Sequence, residues 1–426
     1  MNVADSLRTA AALEKLGYTH THQPEGADVI ILNTCVVRQS AENKAIGRLQ
    51  SLRPLKKENP ALVINLMGCL VGIKGGQDKL RERFPFVDVF SPPSDFAPLI
   101  NFLTLREGQQ LEENITTQRF GVMDGDMVLP SYERGKLVSA YISTVLGCSH
   151  ACTYCIIPSK RGAERSRPPD EIVAEAHSLV AHSVREITLL GQIIDRYGLD
   201  QPGYPSLAGL LYTLHEIDGL ERIRFLTSHP NWMTDELLDS VAKLPKVMPH
   251  VEVPAQSGDD EILTNMRRGY SAGQYRRLVA RIRERIPGVS IATDIIIGFP
   301  GETRLQFQNS YDLLADLKMD VAHLARYSPR SGTVSATRMT DDVSDDEKWQ
   351  RFRLLEELQK GIAAKIQSRL LGQSILVLFE EQKKGRWRGR TPTNKLVFVE
   401  TDKNLHGKIL PVEITWTGPW SMQAKL

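Results

Sequence analysis

Three cysteines, Cys148, Cys152 and Cys155, lie within eight residues in a C-x3-C-x2-C spacing, and few folds and few kinds of site accommodate such a group. They follow an apolar run, 141–146, which predicts a buried strand that enters a loop. Thiolates are soft ligands that select zinc, Cu(I) or iron–sulfur clusters. Structural zinc prefers four closed ligands, whereas three cysteines leave one iron of a 4Fe-4S cluster open to an exogenous ligand. We therefore predict a 4Fe-4S cluster; the alternatives are zinc with His150 as the fourth ligand and thiols that only pack in a core.

Composition indicates a globular protein of two or three domains. The chain has 426 residues, of which 41% are hydrophobic and 24% charged, and its formal net charge of +2 neither favours nor excludes nucleic acid. Five cysteines, an odd number in a long chain, do not form a disulfide framework and indicate a reducing compartment with metal or catalytic use. No signal peptide and no membrane-spanning run is recognisable, so we expect a cytoplasmic protein with no membrane partner.

The first part of the chain, 1–102, alternates helix and strand. Apolar runs at 27–34 and 62–67 predict strands, and 41–55 predicts a basic amphipathic helix between them. Strands that alternate with helices indicate a parallel sheet, whose ligands gather at the carboxyl ends of the strands. Cys35 and Cys69 each follow one of the two strands directly, so we expect both thiols in the same crevice.

A polar linker is predicted at 103–136, and a regular β/α series follows it over 137–371. Six apolar runs recur there, which predicts a partial (β/α)6 barrel with its chemistry at the carboxyl ends of the strands; the runs are 137–146, 185–190, 222–227, 249–254, 289–297 and 320–326. The cysteine loop follows the first of these strands, where that rule expects a site. Ser344 opens a long helix with a capping-box sequence, and Gly372 ends it.

The last segment, 372–426, alternates apolar and polar residues in short runs, which predicts a small antiparallel β-barrel. The fold class is therefore α/β with a C-terminal β-barrel. Between its first two strands lies a basic stretch without acidic residues, and we predict that it binds RNA because cations follow phosphates and an aromatic ring stacks on a base. Its candidate residues are Lys383, Lys384, Arg386, Trp387, Arg388 and Arg390. The alternative is a solvated hairpin without a ligand.

The cysteine region resembles a known family. Its spacing, with the aromatic Tyr154 before the last cysteine, is similar to the radical S-adenosylmethionine (SAM) superfamily, and the flanking stretches resemble the methylthiotransferases of that superfamily. Those stretches are Gly-Cys-Ser at 147–149, Pro-Ser-Lys-Arg-Gly at 158–162 and Arg-Ser-Arg at 165–167. Gly-Arg-Trp-Arg-Gly-Arg-Thr at 385–391 resembles the RNA-binding TRAM domain of the MiaB type. The resemblance spans essentially the whole chain.

The resemblance implies a role for the loops after the later strands. It implies that the open iron chelates SAM, that Gly191 and Gln192 lie at its amino group, that Gln256 and Ser257 lie near its ribose, and that Arg267 or Arg268 meets its carboxylate. The glycine turn at Gly298 would allow the backbone to approach the ligand closely. Ser228 and His229, in a Ser-His-Pro segment, resemble the tRNA-acting type of the family; alternatively, His229 only caps its loop.

The resemblance also implies a second, auxiliary 4Fe-4S cluster in the N-terminal domain. Cys35 and Cys69 match two of its three cysteine ligands, and the third precedes a Met-Asn-x-x-Asp-Ser stretch that is 1–6 in this sequence. We therefore expect a strand that ends in this cysteine to precede Met1. The alternatives are a substitute ligand beside the two thiols, or no auxiliary cluster.

The expected activity is radical SAM methylthiolation at carbon 2 of isopentenyladenosine beside the anticodon of tRNA. The alternatives are the same chemistry on threonylcarbamoyladenosine, methylthiolation of a ribosomal protein aspartate, and a non-catalytic iron–sulfur or RNA-binding protein. The resemblance implies two SAM-dependent steps, reductive cleavage to a 5'-deoxyadenosyl radical and methylation of cluster sulfur. We expect the tRNA anticodon stem-loop, SAM, an electron donor such as flavodoxin or ferredoxin and a sulfur donor as partners, and a monomer.

Overall fold

The computed structural model describes residues 1–73, 77–106 and 129–426. Its N-terminal part is a parallel sheet of three strands in the order β1-β2-β3, with β1 at Val29–Thr34, β2 at Val63–Gly68 and β3 at Val89–Ser91. The central strand β2 is buried throughout, whereas the edge strand β1 is mostly half-buried. Most of the predicted linker, 103–136, lies outside the described residues.

In the described ranges, five α-helices accompany this sheet. They are α1 (Asn2–Lys15), α2 (Gln39–Ser51), α3 (Arg53–Glu58), α4 (Gln77–Arg83) and α5 (Ala97–Arg106). The prediction of a single helix at 41–55 is therefore wrong in its extent, because α2 ends before Leu52 and a second helix begins after it. Pro54 explains the break: proline has no N–H to donate and clashes with the preceding turn, so it suits the first turn of a new helix.

The central part contains the six parallel strands that the sequence predicts. Strands β4, β7 and β8 pair in that order, as do β11, β10 and β9. Their bounds are Ser139–Ser143, Glu186–Leu190, Arg222–Leu226, His250–Glu252, Ser290–Ile297 and Val321–Arg326, for β4 and β7 to β11. Backbone hydrogen bonds of Ile223 to Lys246 and Met248 connect the two sheets, so the strands form one partial barrel.

Helices accompany the partial barrel, and most of them share one apolar core with it. They are α6 (Ile157–Arg161), α7 (Pro169–Ala181), α8 (Leu207–His215), α9 (Asp235–Lys243), α10 (Asp260–Asn265), α11 (Ala272–Arg285), α12 (Arg304–Leu317), α13 (Val334–Arg338) and α14 (Asp345–Ser368). Ser344 caps α14 by accepting a hydrogen bond from the Glu347 amide, which confirms the predicted start of this helix, but the helix ends at Ser368 and not at Gly372. In the parts of the chain that the structure covers, no helix is long and apolar enough to cross a membrane.

The C-terminal part is a closed barrel of five short strands in the order β12-β13-β14-β16-β15. Their bounds are Ser374–Lys383, Arg386–Arg390, Leu396–Glu400, Ile409–Thr417 and Met422–Lys425, for β12 to β16. The predicted antiparallel arrangement is confirmed for four of the five pairs, but β14 and β16 are parallel. Strand directions cannot alternate all the way round a closed barrel with an odd number of strands. One neighbouring pair must therefore be parallel, and here it is the pair at which the barrel closes.

The C-terminal barrel is attached to the amino ends of the central strands, opposite the cysteine loop. Arg224 on β8 donates to the carbonyls of Thr391 and Pro392, both at 2.9 Å, and Arg222 donates to the carbonyl of Arg390 at 2.7 Å. Lys395 forms an ion pair with Asp320, which directly precedes β11. The turn between β13 and β14 is therefore the structure that closes the bottom of the central barrel.

Candidate active site

The cysteine loop is held closed at its base by a short pair of strands. Strand β5 (Val145–Leu146) pairs with β6 (Arg165–Ser166), and the amide of Cys148 donates to the carbonyl of Gly162 at 3.0 Å. Gly147 has a φ of +71°, and a Cβ there would lie 2.1 Å from the carbonyl oxygen of Ala163. Only glycine fits this position, so the local sequence itself brings the three cysteines to the carboxyl end of the first barrel strand.

The three thiols differ in their surroundings. Burial raises the pKa of the Cys148 thiol and raises that of Cys155 to about 12. Burial would also raise the pKa of Cys152, but the contact with His150 and the charge of Arg268 outweigh it and lower the pKa to about 7. His150 Nδ1 lies 3.5 Å from Cys152 Sγ, and Arg268 Nη1 donates to the same sulfur at 3.3 Å. Cys152 is therefore the thiol whose anion the protein itself stabilises.

The donor set fits a multi-iron cluster better than a single ion. Within the described residues, no three His, Cys, Asp or Glu side chains lie close enough together to hold one metal ion. The zinc alternative with His150 requires such a group and is not supported. In a cluster each thiolate binds a different iron, so its cysteines stand farther apart than the ligands of one ion. Cys148 and Cys155 contact one apolar cluster with Ile157 and Ile193, which shields this part of the loop from water.

Of the two arginines proposed for the SAM carboxylate, only Arg268 lies at the cysteine loop. It is buried, and besides Cys152 it contacts the Tyr270 hydroxyl at 3.0 Å through Nε and the Pro254 carbonyl at 3.4 Å through Nη2. Arg267 is exposed, with a φ of +57°. The structure thus separates two adjacent residues that the sequence left equivalent.

Ser228 and His229 follow β8 at the same mouth and are almost fully buried, at 2% and 1% exposure. His229 stacks beside His150 with ring centroids 4.6 Å apart, and its amide donates to Asp195 at 3.0 Å. Burial and nearby Arg268 lower the pKa of His229 to about 2, so the ring is neutral. Its Nδ1 accepts a hydrogen bond from the amide of Asn231, so Nε2 carries the proton. Among described atoms, this Nε2 and Ser228 Oγ have no hydrogen-bond partner.

Sequence reasoning missed three carboxyl groups beside this loop. Burial raises the pKa of Asp195 and of Glu252 to about 7 each, and it also raises that of Asp294. Glu252 ends an apolar strand run and Asp294 interrupts another. An acidic residue at such a position is a sequence signal that could have identified both as candidate site residues. Near neutral pH the carboxyl groups of Asp195 and Glu252 can therefore either donate or accept a hydrogen bond.

The other residues assigned to SAM line loops at the same end of the barrel. Gln192 follows β7 and donates to Met1 Sδ at 3.2 Å, next to Gly191. Gln256 has a φ of +69° and forms a backbone bridge with Ile295, which leaves its side chain free of the strand pairing. The hydroxyl of Ser257 faces Ser310 at 3.3 Å and accepts from the amide of Asp259, so it serves its own loop.

Gly298 and Tyr154 lie deeper in the same region. A Cβ at Gly298, whose φ is +67°, would lie 2.4 Å from Lys348 Cγ, so the glycine admits the stem of this lysine. The residue that approaches the Gly298 backbone is therefore Lys348 from α14. Burial raises the pKa of the Tyr154 hydroxyl, and its ring meets Phe299 edge-on at 6.4 Å.

The auxiliary thiols lie where the sequence predicts, after β1 and β2. Cys35 is exposed and Cys69 is buried. Burial raises the pKa of the Cys69 thiol, and the nearby Cys35 adds a smaller effect in the same direction. Arg161 Nε donates to Cys69 Sγ at 3.2 Å. Two thiols and an adjacent cation fit two corners of a cluster, and the described chain offers no third thiol there.

The predicted base-stacking role of Trp387 is wrong for this structure. Its ring is 7% exposed and packs inside the C-terminal barrel with Phe379 and Val399. The basic stretch also has acidic neighbours across the sheet, since Arg388 pairs with Glu380 at 3.1 Å. Exposed cations remain at the hairpin, namely Lys383, Lys384 and Arg386, whereas Arg390 bonds Asn394.

Three parts of the chain match known families. Residues 142–314 match the Radical SAM superfamily, residues 1–91 match the Uncharacterized protein family UPF0004 and residues 368–426 match the TRAM domain. A protein of Roseiflexus sp. (strain RS-1), named tRNA-2-methylthio-N(6)-dimethylallyladenosine synthase, is 45% identical over 429 residues, which cover 100% of this chain and 87% of that protein. The chain belongs to this synthase family.

Other members of the synthase family agree in length and name. The protein of that name from Herpetosiphon aurantiacus is 43% identical, and the alignment covers 100% of this chain and 95% of the relative. The protein of that name from Thermoanaerobacter pseudethanolicus is 38% identical, and the alignment covers 100% of this chain and 90% of the relative. The solved radical S-adenosylmethionine methyltransferase TsrM of Kitasatospora setae has a TM-score of 0.58 at 16% identity, covering 78% of this chain and 73% of its own. At that identity TsrM supports the fold alone, which is the predicted radical SAM fold.

Proposed function

We propose that this member of the synthase family is a radical SAM methylthiotransferase that acts on carbon 2 of isopentenyladenosine beside the anticodon of tRNA. The observation that carries the proposal is the cysteine loop, held at the carboxyl end of the first barrel strand in a chain that aligns with its relatives over its full length. Two of the three cysteines expected for the auxiliary cluster, Cys35 and Cys69, and the C-terminal barrel accompany it.

Cys148, Cys152 and Cys155 would hold a 4Fe-4S cluster with an open iron for SAM, and Cys35 and Cys69 would hold part of an auxiliary cluster. Together with SAM and an electron, the first cluster would supply radical chemistry for an unreactive C–H bond, and the auxiliary cluster would supply sulfur. The protein contributes orientation, charge and exclusion of water. Arg268 neutralises the thiolate of Cys152 and lies ready to meet an anionic carboxylate.

His229 and Ser228 would orient the base. The neutral ring of His229 presents an Nε2–H donor, and Asp195 fixes the loop by accepting from the His229 amide. Adenine carries ring nitrogens that accept hydrogen bonds, so a buried donor without a partner suits it. The adenosine must leave its stack to reach the barrel mouth, which costs less in a single-stranded loop than in a duplex.

Exposed cations of the hairpin, Lys383, Lys384 and Arg386, would bind the tRNA backbone. The hairpin belongs to the domain at the bottom of the central barrel, so a tRNA that touches it must also extend past the barrel wall to the mouth. We further propose a flavodoxin or ferredoxin as electron donor, a separate sulfur donor, and action as a monomer in the cytoplasm. The five free thiols suit such a reducing compartment.

The test is mass spectrometry of tRNA nucleosides from a host that lacks this activity and expresses the full chain. We expect methylthio-isopentenyladenosine with the native chain and none with Cys152→Ala. The matched control is His177→Ala, an exposed histidine on α7 that leaves the product unchanged. The readout separates the substrate from the chemistry, since isopentenyladenosine without the methylthio group remains visible when only the transfer fails.

Three outcomes would contradict the proposal. If methylthio-threonylcarbamoyladenosine were the only new nucleoside, the substrate would be threonylcarbamoyladenosine. If a ribosomal protein gained the mass of a methylthio group instead, the substrate would be that protein. Absence of 5'-deoxyadenosine from the purified, reconstituted and reduced chain with SAM would remove the radical chemistry itself and leave a non-catalytic iron–sulfur or RNA-binding protein.

A further inference from the structure

The short helix α6 lies between the two groups of cysteines. It follows Cys155 in the chain, and Ile156 at its start packs in the same buried cluster as Cys69. At its end a Cβ on Gly162, whose φ is +76°, would lie 2.3 Å from Ile73 Cδ1. The absence of a side chain at this glycine thus lets the end of α6 approach the turn after β2 closely, so α6 connects the loop of one cluster directly to a ligand of the other.

Arg161, the last residue of α6, makes three contacts with the N-terminal domain. Its Nε donates to Cys69 Sγ at 3.2 Å, Nη2 donates to Asn2 Oδ1 at 3.0 Å and Nη1 lies 3.4 Å from Ser94 Oγ. The three partners come from α1, from the turn after β2 and from the loop after β3. A planar guanidinium fixes donors in a rigid fork, so Arg161 sets the position of Cys69 relative to the cysteine loop.

Arg161 also brings a positive charge to a buried sulfur, since Cys69 is 1% exposed and its Sγ accepts the hydrogen bond of the guanidinium. Cys35 adds a second thiol nearby, so a cluster ligated by both sulfurs would be anionic. Hydrogen bonds to the sulfurs and nearby charge set the reduction potential of such a cluster, because they stabilise its more negative, reduced state.

We propose that Arg161 is a positioning residue for the auxiliary cluster, which raises the reduction potential of the cluster at Cys69 and fixes its place relative to the cysteine loop. The inference rests on the proposed function, because that function places a cluster at Cys35 and Cys69. Its consequence is that a residue of the central domain, adjacent in sequence to one cluster, determines the properties of the other.

The test is a redox titration followed by electron paramagnetic resonance. It uses the full chain with Cys148, Cys152 and Cys155 changed to Ala, so that only the auxiliary cluster contributes. Arg161→Met removes the charge and the hydrogen bond, and we expect its midpoint potential to shift downward. Arg161→Lys keeps the charge without the rigid fork and should lie between the two. Lys160→Met is the matched control, since it removes a charge from the same helix and keeps the donor to Cys69.

Two results would overturn the inference: an unchanged midpoint potential in Arg161→Met, or an equal shift in Lys160→Met. If Arg161→Met fails to retain its iron, Arg161→Lys decides, because a native potential there overturns the assignment as well. Absence of an auxiliary signal with Arg161 intact would also overturn it. If the native chain makes the methylthio nucleoside but Arg161→Met leaves the potential unchanged, only this inference is wrong. If Arg161→Met shifts the potential but the native chain makes no methylthio nucleoside, only the proposed function is wrong.

Discussion

At the scale of single residues, the structure places charges at positions where burial makes their pairing decisive. Glu175 on α7 is 3% exposed and lies between Arg8 of α1, with which it forms an ion pair, and Arg167, whose Nη1 is 2.7 Å from Glu175 Oε2. Burial alone would raise the pKa of Glu175, but the two guanidinium groups lower it. The carboxylate therefore holds two buried cations and connects the N-terminal helix to the central domain.

We predict that Glu175→Gln lowers the free energy of unfolding by about 3 kcal/mol at pH 7, because it leaves two buried arginines without their anion. The pKa of Glu175 is lowered on folding, so its contribution is complete above its ordinary pKa of 4.5 and is lost as the pH falls further. The difference between native chain and variant should therefore narrow below that pH. Denaturant titrations at several pH values measure it.

The matched control is an exposed ion pair. Arg276 and Asp316 lie 2.8 Å apart, but their side chains are 37% and 63% exposed. Asp316→Asn should change the free energy of unfolding by about 0.5 kcal/mol or less. A Glu175→Gln difference that stays constant from pH 7 to pH 3 would show that the carboxylate charge is not what stabilises this contact.

At the scale of elements, strand β13 shows how a pattern of residue types can suggest the wrong face. Arginines alternate with Trp387 along it, and in a two-faced strand alternate side chains point to opposite sides. The arginine side chains lie on the outer face of the barrel, and the ring of Trp387 therefore lies in the barrel core. The same alternation that suggested interleaved stacking and charge is the pattern of an ordinary amphipathic strand.

We predict that Trp387→Ala destabilises the C-terminal barrel by about 3 to 5 kcal/mol, because it empties a large volume in a packed core. Trp387→Phe, which fills most of that volume, should retain tRNA affinity to within about twofold, since ring stacking on a base is worth about 1 to 3 kcal/mol where it occurs. Thermal unfolding and tRNA binding measure the two. A tenfold loss of affinity in a folded Trp387→Phe variant would restore the stacking interpretation.

At the scale of the whole molecule, the C-terminal barrel is integrated with the central one. Arg224, 4% exposed, binds Glu186 at 2.9 Å and two carbonyls of the turn between β13 and β14. Asn394 of the same turn lies 3.2 Å from His250, at the start of β9. The bottom of the central barrel is thus closed by another domain, and the mouth with the cysteine loop remains for substrate.

We predict that Arg224→Met loosens this attachment without unfolding either barrel. Hydrogen exchange of amides in the β13–β14 turn should become at least about tenfold faster, equivalent to about 1.4 kcal/mol of lost local stability. Arg276→Met, a substitution of an exposed arginine on α11, is the control and should leave the turn unchanged. Equal exchange in both variants would mean that Arg224 is not needed and that the remaining contacts hold the turn, namely the ion pair of Lys395 with Asp320 and the hydrogen bonds of Arg222 and Asn394.

Features that depend on near neighbours along the chain could be predicted from the amino-acid sequence. The spacing of Cys148, Cys152 and Cys155, the six apolar runs and the cap at Ser344 all express periods or contacts a few residues long, and each predicted its element. Glycines such as Gly147 fix loops in the same local way. These features predicted the barrel, the position of the cysteine loop and the family.

Contacts between groups that are distant in sequence became visible only in the folded chain. Nothing periodic in the sequence connects Arg161 to Cys69 or Arg8 to Glu175, and nothing local distinguishes the buried Arg268 from the exposed Arg267 beside it. Such contacts depend on how whole elements pack, and their energies come from burial, which a residue acquires only when the chain is folded. The chemistry of the cysteines was therefore readable from the sequence, whereas the charges that tune them were not.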